Sequence, residues 1–340
     1  MSGDGDAPRR HVTRVDVARY AGVSPAVVSY TVNSGPKTVA PATRARVQEA
    51  IRVLGYRPNA AARALKVGLT KMFGVVVPDS SNPFFAELGR ALEDAAAARG
   101  YALIVVNFDG PPEKVAASIR SLALRQVDGM LIAAQVSMPA IAAIGESGTR
   151  AVLLNQFSAV DGVSAIGPDL YDGARQAVRH LIAHGHERIG FVGNPDGNDL
   201  RRRGWSDALA AAGLDEGPTA GSSYSREGGY AAGRELLASA NRPTAVFVSS
   251  DMQAIGVLRV MHEAGLTLPR DMAIVSFDGS PESEYSWPAL TTLQQPVRDM
   301  AVDAIERLIA PTESAHFTRY LTKLVVRQSC GCGFPTQGGE

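Results

Sequence analysis

From Phe73 onward the sequence alternates short, wholly apolar runs with longer segments of helical period, and it does so twice. Residues 73–77 (FGVVV), 102–106 (ALIVV), 129–133 (GMLIA) and 151–154 (AVLL) are the first set of runs. A strand with one wet face would alternate apolar and polar residues, so unbroken runs mark strands buried on both faces. Between them, 84–99, 113–125 and 139–146 read as helices. Alternation of this kind builds a doubly wound parallel sheet with helices on both sides. The pattern returns with 189–192, 245–248 and 273–277, and with helices near 169–184, 201–212, 228–240 and 251–264. A second α/β lobe of the same architecture is predicted. Open sheets of this type bind ligands at the carboxyl ends of their strands, so polar residues just after each run are candidates to line a cleft between the lobes.

Ahead of this body, residues 9–66 hold 11 Lys and Arg against 2 Asp and Glu, a balance of +9. The whole chain of 340 residues has 34 basic and 34 acidic residues, so the remainder carries −9. A basic head on an acidic body is the electrostatic footprint of a phosphate-binding module, and charge alone is equally compatible with RNA or a membrane surface. Pattern narrows the choice. Thr13-Arg14-Val15-Asp16 has the capping-box form and predicts a helix to about Tyr20, with Val15, Val17 and Ala18 serving its inner face. Gly22 breaks it, and Ser24 as N-cap with Pro25 at the first helical position starts a second helix to about Asn33, with Val28 and Val32 inward. Two short helices about a Gly-containing turn describe a helix-turn-helix. Pro41 opens a third helix with Val47, Ala50, Ile51 and Leu54 on one face; Ala40 offers it no side-chain cap, and Gly55 ends it. Residues 56–66 (YRPNAAARALK) are Ala-rich but too short to be a stable helix alone, and are expected to fold only against a partner or DNA.

These residues resemble the lactose/galactose repressor family of bacterial regulators. The likeness runs from Val12 to about Arg327, and its most specific part is VARYAGVSPAVVSY at 17–30, followed by Val32-Asn33 and, at the right distance, by 56–66. It implies an all-α helix-turn-helix head (11–57), a hinge helix and linker (58–71) and a two-lobed, periplasmic-binding-protein-like body of two doubly wound parallel sheets (72–330). The implied base readers are Pro25, Ala26 and Tyr30, while Ser29, Asn33 and Thr43 hold phosphates or fix the helix pose. Pro25 and Ala26 have no side-chain donor, so Tyr30 and Arg14 are the expected polar readers. Leu65 matches a hinge leucine that wedges into a base step from the minor groove while Ala62 packs between two hinge helices. Thr13, Tyr56, Asn59 and Lys66 complete the expected DNA-binding set.

For the cleft, the resemblance implies that Phe84 stacks on the ligand and Asn155 hydrogen-bonds it from the first lobe. Arg201 and Asp278 contact it from the second, with Tyr224 as an aromatic wall. Ser250 stands where many relatives carry Asn. Asn82 and Asp251 are expected to cap their own helices instead. A carboxylate and a guanidinium facing one cleft suit a hydroxyl-rich ligand, and also a purine or an amino compound. The expected protein is thus a DNA-binding transcriptional regulator of the repressor kind. It acts as a homodimer on a near-palindromic double-stranded operator and is controlled by a sugar or related metabolite.

Other classes are disfavoured by what the sequence lacks. No window approaches the roughly 18 apolar residues of a membrane span, and residues 1–10 are polar, so a cytoplasmic, nucleoid-associated protein is expected. A solute-binding transport protein would share the two-lobed body but not the basic head. The Gly190-Phe191-Val192-Gly193 turn lacks the Gly-x-Gly-x-x-Gly spacing and the Walker lysine, so no catalytic residue and no cofactor are expected. His180, His184 and His186 read as part of a helix-to-strand connection. Cys330-Gly331-Cys332 has a spacing suited to metal or redox chemistry, but two ligands alone do not make a site, and no metal is expected. Beyond Arg327 there are no heptads, so a dimer rather than a coiled-coil tetramer is expected.

Overall fold

A computed structural model of the chain describes residues 12–33, 38–57, 64, 68–108, 113–194, 199–310 and 315–332. It divides into two compact units, Met1–Thr70 and Lys71–Glu340. The expected contacts Asn59, Ala62, Leu65 and Lys66 lie outside the described residues, as does the side chain of Asn33.

The first unit holds α1 (Arg14–Ala21), α2 (Pro25–Asn33) and α3 (Pro41–Leu54). The capping box forms: the Thr13 side chain accepts from the Asp16 amide while the Asp16 carboxylate accepts from the Thr13 amide. Gly22 and Gly55, at φ 66° and 63°, end α1 and α3 in the left-handed region that a side chain disfavours. Ala40 leaves α3 without a side-chain cap. Val17, Ala18, Ala21, Val28, Val47 and Ala50 form the small core, with Val32, Ile51, Leu54 and Tyr56 packed against it. Val15, expected to face inward, is exposed. It lies about 200° round the helix from Val17, and the buried face is taken by 17, 18 and 21.

In the second unit the first lobe runs β1 (Met72–Val77), α4 (Pro83–Ala98), β2 (Ala102–Asn107), α5 (Glu113–Leu124), β3 (Gly129–Ile132), α6 (Met138–Ser147), β4 (Ala151–Leu153) and β5 (Ser164–Pro168). The second lobe runs α7 (Leu170–Ala183), β6 (Ile189–Gly193), α8 (Leu200–Ala211), β7 (Thr219–Gly221), α9 (Arg226–Ala238), β8 (Ala245–Val248), α10 (Asp251–Glu263), β9 (Ala273–Asp278), α11 (Glu282–Tyr285) and β10 (Thr291–Gln294). The chain then returns as α12 (Val297–Ile309), β11 (Phe317–Tyr320) and β12 (Lys323–Val325). Each lobe has a six-stranded sheet, in orders β11-β5-β4-β3-β1-β2 and β12-β10-β9-β8-β6-β7. The first is parallel throughout; in the second, edge strand β12 runs antiparallel to β10. Among the described residues no helix is long and apolar enough to cross a membrane.

The two lobes are not consecutive pieces of chain. Helix α12 follows a strand of the second sheet, yet Val297, Met300, Ala301, Ala304, Ile305 and Leu308 pack into the first lobe's core with Phe73, Leu88 and Leu131. Strand β11 then joins the first sheet and β12 the second. Arg307 secures this return: it pairs with Asp303 at 2.7 Å and donates to the carbonyls of Ala165 and His316 at 3.3 Å.

Within the second lobe, α9 and α10 approach through facing glycines. A Cβ on Gly256 would lie 2.1 Å from the Arg226 carbonyl oxygen, and one on Gly229 would lie 2.0 Å from that of Gln253. Both neighbours are backbone, which cannot rotate away. The helix-propensity gain of replacing glycine, below about 1 kcal/mol, is outweighed by overpacking of about 1–3 kcal/mol or more. Gly256→Val should therefore lower the urea midpoint without changing the slope of the unfolding transition.

Candidate functional site

At the carboxyl edge of the second sheet, the segments that follow β6, β7, β8, β9 and β10 converge. After β6 comes Asp199, which caps α8 by accepting from the Arg201 amide at 2.9 Å. Arg201 in the first turn is buried, and every branch of its guanidinium is held. Its Nε lies 3.2 Å from Asp199 Oδ1, one terminal nitrogen donates to the Ser249 carbonyl after β8 at 2.9 Å, and the other donates to the Tyr224 hydroxyl. Its carbon lies 4.9 Å from the Tyr224 ring centroid and 5.7 Å from that of Phe277. The Tyr224 hydroxyl donates in turn to Asp199 Oδ2 at 3.2 Å. Burial of that end, with Asp199 beside it, pushes the phenol up to about 12, so it stays a donor. The residue as a whole is 39 % exposed, which leaves it available as a wall.

Asp278 ends β9 with φ 113°, a strained conformation for a residue with a Cβ. Gln295 Nε2 donates to its carboxylate at 2.9 Å. Burial, then the nearby Asp251 charge, push the Asp278 carboxyl well above the ordinary range, against the pull of Arg201. Among the described residues, Gln295 Oε1 is a buried acceptor without a hydrogen-bond partner. Gln295 carries no apolar run as a signal: it directly follows β10 (Thr291–Gln294), whose polar residues hide a buried strand in the sequence.

Asp251 behaves differently from expectation. The cap of α10 is Ser250, extended at φ −155°, whose hydroxyl accepts from the Gln253 amide at 3.3 Å and donates to Gln253 Oε1 at 2.9 Å. The Asp251 carboxylate instead accepts from the hydroxyls of Ser276, Thr292 and Ser280 and the amide of Ser280, at 2.6–2.9 Å. It ties α10 to β9 and β10. Ser250, expected in the ligand set, therefore spends its hydroxyl on the helix end.

On the first lobe, Asn82 caps α4 as expected, accepting from the Phe84 amide at 3.0 Å. Phe84 is 5 % exposed and packs with Val77, Leu88 and Ile166 in the core, edge-on to Phe85. Core packing rather than an open stacking face is what the structure gives it. Asn155 stands in the left-handed region at φ 55° just past β4, a conformation Asn tolerates well. The first lobe's α4 faces the second lobe: Glu87 is raised by burial, opposed by Arg298, and raised further by the charges of Glu282 and Asp251. The structure thus gathers Arg201, Tyr224, Asp278 and Gln295 on one wall, with Asn155 on the other lobe and Phe84 behind its own.

In the head, Pro25, Ala26 and Arg14 are exposed, and Ser29, Tyr30 and Thr43 are half-buried. Positions 25, 29 and 33, and 26 and 30, are each four apart, so α2 presents them as one face. Thr13 is exposed but its hydroxyl is held by Asp16 at 2.6 Å. Tyr56 packs on the head's own core.

Comparison with known proteins agrees with both units. Residues 14–59 match the model for bacterial regulatory proteins of the lacI family, and 178–330 match a periplasmic binding protein-like domain. The chain is 34 % identical to catabolite control protein A of Priestia megaterium over 326 residues, 94 % of this chain and 95 % of that one. A solved structure of the lac repressor dimer bound to operator and an anti-inducer superposes with a TM-score of 0.83 at 26 % identity, covering 94 % of this chain and 99 % of that one. A LacI family transcriptional regulator from Enterococcus faecium with bound ribose gives 0.69 at 31 % identity, covering 76 % and 98 %. The match of the head decides against a transport protein and against an enzyme. A helix-turn-helix unit, a two-lobed body with a polar cleft wall and full-length kinship together place this chain in the lacI family of bacterial transcriptional regulators.

Proposed function

We propose that the chain is a repressor that grips a near-palindromic DNA operator as a homodimer, in the cytoplasm at the nucleoid, and changes its hold when a small hydroxyl-rich effector enters the cleft. The observation that carries this reading is the buried Arg201, fixed in place by Asp199, Ser249 and Tyr224 beside a carboxyl at Asp278. A preorganised guanidinium and a carboxyl give charge-assisted, directional hydrogen bonds to hydroxyl groups, and Gln295 Oε1 offers one more acceptor. Asn155 completes the ligand set from the first lobe; Phe84 backs that wall from the core, and Ser250 supports the site through its bonds to Gln253 at the start of α10. The ribose bound by the Enterococcus faecium regulator supports a sugar-like effector.

On DNA, α2 enters the major groove with Tyr30 and Arg14 as polar readers, Pro25 and Ala26 against base edges, and Ser29, Asn33 and Thr43 on phosphates. Leu65 acts as the minor-groove wedge, and Ala62 packs between paired hinge helices. Effector binding favours one arrangement of the lobes and so alters hinge pairing, which is differential binding to two states. The homodimer forms on the groove lined by Ile255, Leu258, Tyr285 and Trp287, where the two aromatics are 85 % and 87 % exposed. The lac repressor dimer supports a second copy as the occupant.

A thermal-shift screen of sugars, sugar phosphates and nucleobases, followed by DNA binding with and without each hit, tests the reading. A ligand that stabilises the chain yet leaves DNA affinity unchanged contradicts it. Asp278→Asn should separate stability from binding. With its pKa raised in the folded chain, Asp278 costs stability increasingly as pH rises from the ordinary carboxylate range through the raised value. The variant's thermal midpoint should therefore gain on the natural chain as pH rises above the ordinary carboxylate range, while the effector-induced shift is lost. Trp287→Asp should shift the sedimentation equilibrium toward monomer. DNA affinity should fall steeply with salt, with a log–log slope of about −0.9 per phosphate contacted.

A further inference from the structure

At the opposite edge of the second lobe, two segments far apart in sequence bring four soft ligands together. His180 lies in the last turn of α7 and His184 caps its end, so the two imidazoles stand one turn apart on one helix face. Their ring centroids are 4.8 Å apart. Beside them, Gly331 adopts φ 97°, and this reversal lets Cys330 and Cys332 present their thiols to the same place. Cys332 Sγ lies 3.0 Å from His184 Nε2 and 3.7 Å from His180 Nε2. One ligand atom from each of the four residues falls within 4.8 Å of every other, and both cysteines are free.

We propose that His180, His184, Cys330 and Cys332 bind one Zn2+ ion in a closed, structural Cys2His2 site. Zn–S bonds of about 2.3 Å and Zn–N bonds of about 2.0–2.1 Å set tetrahedron edges of about 3.3–3.8 Å. Small side-chain rotations bring the present spacings to that size. Two thiolates with two imidazoles favour zinc over the hard, oxygen-seeking cations. The supports around the ligands are in place. The Thr291 hydroxyl donates to Cys330 Sγ at 3.0 Å, as groups that steady a metal-bound thiolate do. Ser329, just before the pair, is locked to the sheet: its amide donates to Ala289, its hydroxyl to the Ile274 carbonyl at 2.6 Å, and its carbonyl accepts from the Ile274 amide. A cation also suits the carbonyl-rich end of α7. His186 is not a ligand; its Nδ1 lies 3.1 Å from the Thr244 hydroxyl, on the connection into β6. Four protein ligands leave no open position, so the ion's part is to clamp residues 329–332 to α7, the helix that begins where the chain first enters the second lobe.

The test uses the full-length chain without an affinity tag, purified under reducing conditions. Elemental analysis should find about one zinc per chain, and cobalt substitution should give tetrahedral visible bands with thiolate charge transfer. Cys332→Ser and His184→Asn, at positions open enough to tolerate change, should each weaken zinc affinity by more than about tenfold. A strong chelator should lower the thermal midpoint of the natural chain but not of the variants. A folded natural chain with no zinc, whose midpoint moves with neither zinc nor chelator, would overturn the site. So would cobalt bands without thiolate charge transfer, or zinc affinity unchanged in Cys332→Ser.

Discussion

The chain passes between its lobes three times, at 168–170, 294–297 and 320–323, and each lobe is completed by elements contributed after the chain has visited the other. Helix α12 fills the first lobe's core although it follows the second lobe's strand β10. Neither lobe is therefore a contiguous stretch of chain, and the three short connections between them are the natural place for φ/ψ changes that open or close the cleft. The same arrangement puts the carboxyl ends of β6, β8, β9 and β10 on the cleft side, where Arg201, Asp278 and Gln295 stand. It leaves the far end of α7, with His184 and the cysteines, on the side remote from the cleft.

The cleft wall is held at a cost in stability. Asp278 is strained in its backbone, buried, and close to a second carboxylate at Asp251, three features that oppose folding. Asp251 is compensated by four hydrogen bonds. Asp278 has fewer, from the Gln295 side chain and the Asp251 backbone, together with the attraction of Arg201. Uncompensated polar capacity of this kind, including Gln295 Oε1, is what a ligand would satisfy, and such sites commonly trade stability for binding.

The parts of the fold legible in the sequence are those whose physics is local. The central strands announced themselves because burial on both faces demands unbroken apolar runs. The edge strand TAG at 219–221 is too short, and the inner strand TTLQ at 291–294 too polar, to give such a signal. The amphipathic pattern of 297–309 suits either lobe, so its place in the first could be decided only by packing. In the site, Arg201, Tyr224 and Asp278 came together as the family likeness implied. Ser250 stands next to Ser249, which Arg201 binds, but commits its hydroxyl to Gln253 at the start of α10, and Phe84 is packed into the core. The two halves of the proposed metal site were each visible, but 148 residues separate Cys332 from His184. Neither pair looks like a site until the fold joins them.

If the cleft and the DNA-binding head are coupled, linkage requires the coupling to be reciprocal. The most direct measurement is a closed thermodynamic cycle: effector affinity of the free protein and of the protein saturated with operator, alongside operator affinity with and without effector. Coupled sites should give two equal ratios that differ from one by about 5–150-fold. A ratio of one, with tight binding at both sites, would contradict the coupling.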